Sequence, residues 1–183
     1  MKAFHTLLIL LAGFLVVFLQ AATTALPRLL GAQVDLLPSL MVYAALTAGP
    51  GTLAALALGG GLWFDSLSAN PLGISVLPLA LIGWLVARRR ELLLRQQWFA
   101  QLVLGLAASA AAPLLTVLLL LSAGQEPLLG WGSLWQWLVM TVMGGAAAPL
   151  WFLGFDWLTR TFGYVEVARP GFRPDREIRR GRW

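Results

Sequence analysis

The chain has 183 residues and a net charge of +5, with 59% apolar and 11% charged residues. A soluble globular domain carries about 25% charged residues, so these charges are too few to build a water-facing surface, and an ordinary soluble domain is excluded. Of the 13 Lys and Arg, only Arg28 lies outside three clusters: Lys2, the run 88–95, and the tail after Leu158. That leaves no folded basic face of the kind that nucleic-acid binding requires.

Residues 1–25 open with Lys2, run through LLILLAGFLVVFL and end in the small residues AATTA. This outline fits a secretory signal peptide. It also fits a retained first membrane helix over residues 6–22, the reading adopted here, because a multi-span chain can use its first helix to start insertion. Gln20 stands at the far end of that helix, where an amide can reach the interface. Residues 28–34 read as a short loop.

Two apolar arms, 35–48 and 52–64, flank Gly49-Pro50-Gly51, a tight-turn signal. Each arm is about 14 residues, or about 21 Å of helix, against a hydrocarbon core about 30 Å thick. The arms are either tilted short spans or a re-entrant hairpin; in both cases the chain leaves on the side where it entered. Residues 65–72, DSLSANPL, read as a polar loop, and 73–87 as a fourth span closed by Arg88-Arg89-Arg90. Residues 98–121 form the fifth span and 122–133 a loop holding Glu126 and Pro127. Residues 134–158 form the sixth span, interrupted by Gly144-Gly145 and Pro149. Trp98, Trp131, Trp135 and Trp157 fall near span ends, as in an aromatic belt. Residues 159–183 hold seven Arg, two Pro and three Gly and read as a basic, flexible tail, with an amphipathic strand around 164–167 as the alternative. The expected fold is thus an all-α integral membrane protein of about six transmembrane helices over residues 1–158, followed by the tail.

Orientation follows from charge. With the N-terminus in the cytoplasm and six spans, Lys2, four Arg of 88–95 and seven tail Arg fall inside, 12 in all, against Arg28 outside. The positive-inside bias then puts both termini in the cytoplasm of a bacterial inner membrane.

Little in the sequence suits catalysis. The one His, His5, has no Ser, Cys or carboxylate near it in sequence and reads as an interfacial residue rather than a general base. With no Cys there is neither a disulfide framework nor a thiolate metal site. Gly59-Gly60-Gly61 lies in an apolar helix, not after a strand, so it reads as close packing rather than phosphate binding. No enzyme activity and no cofactor are expected. Three carboxylates lie near spans, where an ionisable group costs roughly 2.5–3.5 kcal/mol on insertion scales. Asp35 and Asp65 flank the hairpin and so face the same side. Asp156 stands four residues before Arg160, the spacing of an ordinary ion pair. Asp65 either caps a helix at the interface, or anchors its loop or faces a partner. Small residues recur at helical spacing (Ala55 and Gly59, Ala57 and Gly61, Ala107 and Ala111, Gly144 and Ala148) and read as packing within the chain rather than as a partner interface. The tail can bind anionic lipid at about 1 kcal/mol per Arg, fix topology, or serve as a handle for a cytoplasmic protein.

Residues 37–86, LPSLMVYAALTAGPGTLAALALGGGLWFDSLSANPLGISVLPLALIGWLV, carry a pattern. Pro38 opens an apolar helix; after a turn, a Gly-rich helix ends in Gly-Leu-x-x-Asp (Gly61, Leu62, Asp65); a short loop leads to Leu72-Gly73 and another helix. This resembles the rod shape-determining protein MreD family over about 50 residues, with the first helix, the basic loop after span four and the basic C-terminus also similar. The resemblance implies a non-catalytic membrane scaffold or regulator of cell-wall elongation. It would maintain cell shape and support peptidoglycan synthesis beside an MreC-like bitopic partner, and indirectly MreB, RodA and a class B penicillin-binding protein. It also implies that Pro38, Gly61, Asp65 and Gly73 are the family-motif residues, with the Asp65 loop placed to meet a partner. The basic tail lies outside the pattern. A rival resemblance is to the substrate-binding subunits of energy-coupling-factor vitamin transporters, which share the layout of six short helices. The scarcity of polar side chains in spans four and five, beyond Ser75, Ser109 and Thr116, speaks against the ligand pocket such a subunit needs.

Overall fold

A computed structural model describes residues 2–23, 28, 31–68, 70–89, 97–125 and 130–162. They form six helices: α1 Lys2–Ala22, α2 Leu37–Thr47, α3 Pro50–Leu67, α4 Val76–Arg89, α5 Trp98–Ser122 and α6 Trp131–Phe162. Three stretches are long and apolar enough to cross a membrane: Ala3–Ala22, Trp98–Ser122 and Trp131–Thr161. The expected tail lies almost wholly outside the described residues, as do Arg90, Arg95, Glu126, Pro127 and the 164–167 strand.

The bundle is organised around its shortest helix. α2 has eleven residues, of which the ten from Leu37 to Leu46 are buried, and it packs against all five other helices. A helix apolar on every side has no face suited to water and belongs in an interior. At about 16 Å, α2 is shorter than the arm expected over 35–48. Pro38 sets its first turn, where a missing N–H costs nothing, and Asp35 accepts the Leu37 N–H at 2.9 Å. α3 is longer than its expected arm. Pro50 begins it rather than standing in a turn, because proline is also preorganised for a first helical position, so the reversal shrinks to Ala48-Gly49.

Exposed Leu and Phe side chains cover the outside: Leu7, Leu11, Phe14 and Phe18 on α1, Leu114 and Leu118 on α5, Leu150 and Leu153 on α6. With an exterior as apolar as the interior, hydrophobicity alone cannot sort inside from outside; close backbone approach and interhelical hydrogen bonds must do so. α1 is fixed by Ile9 and Val17 in the core, by Thr6 Oγ1 against Thr52 Oγ1 at 2.9 Å, and by Gly13, where a Cβ would stand 2.7 Å from Leu56 Cδ1. α5 and α6 meet along Gly105, Gly144 and Gly145; a Cβ at Gly145 would come within 2.5 Å of Leu106 Cδ2. The Trp137 indole N–H donates to the Ala110 carbonyl, and the Trp151 N–H to Ser39 Oγ, both at 3.0 Å.

The small-residue pairs divide. Gly144 and Ala148 face α5, and Ala57 and Gly61 face inward, as expected of packing within the chain. Gly59 is exposed, with no atom within 4 Å of a Cβ built on it, so the Ala55–Gly59 pair is not used inside the bundle. α6 runs unbroken through Gly144-Gly145 and Pro149, contrary to the expected interruption. The two glycines are where α5 fits, and proline removes only one intrahelical donor. Asp156 and Arg160 are both exposed on α6, and no salt bridge joins them among the described residues. Trp98, Trp131, Trp135 and Trp157 are all exposed near helix ends.

Candidate functional site

The two ends of the bundle differ in chemistry. Arg88 and Arg89 close α4, and Arg160 lies in the last turn of α6. At this basic end His5 Nε2 lies 3.0 Å from the Tyr43 hydroxyl, and Tyr43 stacks on Phe155 at 4.4 Å between centroids. His5 is therefore a packing residue among aromatic rings. The Arg88 guanidinium sits over the Trp84 ring at 5.2 Å.

The opposite end carries amides and carboxylates. Here the motif residues Gly61, Asp65 and Gly73 come together as one junction between α3 and α4. Gly61 lets α3 approach the α4 backbone: a Cβ there would stand 2.9 Å from Val76 Cα. Gly73 takes φ +90°, a left-handed conformation that side chains with a Cβ rarely adopt. That turn aims two backbone N–H groups at one carboxylate. Asp65 Oδ2 accepts from Gly73 N at 2.8 Å and Ser75 N at 3.1 Å, and Oδ1 accepts from the Ser75 hydroxyl at 2.5 Å. An acid at the start of α4 also complements the positive end of that helix. Asp65 is 1% exposed and lies within the last turn of α3, not in a polar loop as expected. Of the three expected roles, capping and loop anchoring are seen. Both of its oxygens accept hydrogen bonds from within the chain.

Asp35 lies at the same end, as the hairpin requires, in the connection before α2. Burial pushes its carboxyl up to about 6, opposed by the Leu37 N–H bond. The connection is tied to α6 by a two-way amide contact: Gln33 N donates to Gln136 Oε1 and Gln136 Nε2 donates to Gln33 O, both at 2.9 Å.

Between these elements lies a cavity of about 680 Å³, bordered by Gln20 of α1, Asp35, Asn70, Ser75, Ser109 of α5 and Gln136 of α6, with Pro113, Val117 and Leu120 along its apolar wall. The sequence argument against a pocket does not hold. It counted polar residues within spans four and five, whereas most polar groups here come from α1, α6 and the connections. Ser109 is 1% exposed, and neither its hydroxyl nor the Gln20 amide has a hydrogen-bond partner among the described residues. A lone amide at a helix end was visible in the sequence; its convergence with Asp35 and Ser109 was not.

No protein-family model, curated protein or solved structure matches the chain. What it does must be argued from its own residues.

Proposed function

We propose that the chain is a non-catalytic scaffold of the bacterial cell-wall elongation machinery, similar to MreD. It would sit in the inner membrane as six spans, with the basic end and both termini in the cytoplasm, and engage an MreC-like single-span partner. The convergence of Gly61, Asp65 and Gly73 on one junction carries this reading, because residues that define a motif in sequence serve a single structural purpose here. Three long apolar helices and an exterior of exposed Leu and Phe support the membrane setting. The charge separation between the two ends supports the orientation.

In this reading the partner surface is the unused outer face of α3, where Gly59 and the exposed Leu58 and Leu62 stand. Helices associate in lipid by close packing at small residues, so the expected partner lays its span over Gly59. Gly59→Leu should leave thermal stability in mild detergent unchanged and cut recovery of the partner on copurification several-fold. Unchanged recovery would place the contact elsewhere. Recovery of an energy-coupling module in place of an MreC-like protein would favour the second reading, a vitamin-binding transporter subunit, which the cavity beside Asp35 supports.

A further inference from the structure

The cavity has a chemistry of its own, and its argument needs neither functional reading. Two helix N-termini border it, and a carboxylate already takes donors at each: Asp35 takes the Leu37 N–H at α2, and Asp65 takes those of Gly73 and Ser75 before α4. The end of the bundle that would otherwise attract anions is therefore neutralised by the chain itself. The Gln136 amide is likewise spent on the Gln33 backbone.

What remains unspent is specific. Among the described residues, the second oxygen of Asp35 takes no hydrogen bond, the Gln20 amide is unpartnered at both atoms, and the buried Ser109 hydroxyl is unpartnered. A buried hydroxyl without a partner is left desolvated with no hydrogen bond to offset it, a cost that a ligand donor or acceptor would remove. Asp35 is the only ionisable side chain among the described residues that border the cavity. No cation borders it among the described residues, so a carboxylate or phosphate ligand would meet a like charge there. Beyond Ser109, α5 presents an apolar stretch of Ala112, Pro113, Val117 and Leu120, and the Thr116 hydroxyl there is spent on the Ala112 carbonyl. A volume of about 680 Å³ falls in the range of small-molecule sites.

We propose that this cavity binds a small cationic amphiphile, a protonated amine on an apolar ring or chain. The ammonium sits at Asp35, within reach of Gln20 and Ser109, and the apolar body lies along α5. Charge fixes the head-group end, and the apolar stretch from Ala112 to Leu120, whose one hydroxyl is bonded within the helix, fixes the other.

Three probes share one indole body and differ in head group: tryptamine, tryptophol and indole-3-propionate. The purified full chain is placed in lipid nanodiscs, and saturable binding is measured by equilibrium dialysis against empty nanodiscs, alongside the shift in unfolding temperature. Tryptamine should bind saturably and stabilise the chain, tryptophol should bind at least about tenfold more weakly, and indole-3-propionate should not bind. Asp35→Asn keeps the oxygen that accepts from Leu37 and should weaken tryptamine by at least about tenfold while leaving tryptophol unchanged. Ser109→Ala, which removes the unpartnered hydroxyl without touching the cap of α2, gives a second variant with a smaller loss. Tryptamine binding should also fall as pH drops through about 6, where Asp35 takes up a proton. Equal binding of all three probes, no saturable tryptamine binding, or tryptamine binding unaffected by Asp35→Asn would each overturn the proposal. None of these results depends on whether an MreC-like partner is recovered.

Discussion

Asp65→Ala is expected to destabilise the chain by about 3–6 kcal/mol. The substitution strips the acceptor from three donors at once, and hydrogen bonds to a charged acceptor contribute roughly 1.5–3 kcal/mol each, with incomplete additivity. Two of the three donors are the backbone N–H groups of Gly73 and Ser75, which cannot rotate away to find other partners. The turn around Gly73 would lose its anchor, and α4 its fixed start against α3. Asp65→Asn keeps one oxygen but presents an NH2 to a donor, so an intermediate loss is expected. Thermal unfolding in detergent gives the order wild type, Asn, Ala. A stable Asp65→Ala chain that merely failed to recover a partner would show instead that the carboxylate acts outward, and would contradict the junction described above.

Gly105→Val should be the most damaging single change between helices. A Cβ at this position would collide with Ala148 and stand 3.2 Å from both Gly144 O and Gly145 Cα. Two of these contacts are backbone, so no side-chain rotation relieves them. Overpacking typically costs 1–3 kcal/mol, and more where the neighbour cannot move; the upper end is expected because α5 and α6 form the most extensive helix contact in the bundle. The control is Gly154→Val on α6, where a Cβ meets nothing within 4 Å. Comparable losses for both would mean that β-branching in the helix, not close approach, sets the cost.

The order of helices was legible because apolar runs and their interruptions are local features. The side-by-side Gly49 and Pro50 signalled a reversal, and so put Asp35 and Asp65 at one end before any contact was known. Helix ends were less legible. Asp65 looked like a loop residue because a carboxylate in an apolar helix is expensive unless something distant satisfies it. Its partners, Gly73 and Ser75, lie eight and ten residues on and reach it only because Gly73 turns the chain. The glycines of α6 and Pro149 read as breaks because propensity is a local quantity. What holds α6 straight there is α5, which needs Gly144 and Gly145 for its approach. The cavity was illegible for the same reason. Gln20, Asp35, Ser109 and Gln136 are scattered across the sequence, and only the enclosure of α2 by its five neighbours brings them to one place.

The central claim is a bundle that crosses a membrane with its basic end inside. Paired fusions of a reporter active only outside the cytoplasm, one inserted after Gly124 between α5 and α6 and one after Trp183, test it most directly. The account predicts signal from the Gly124 insertion and none from the Trp183 fusion. Signal after Trp183, or full-length chain recovered from the soluble fraction without detergent, would contradict it.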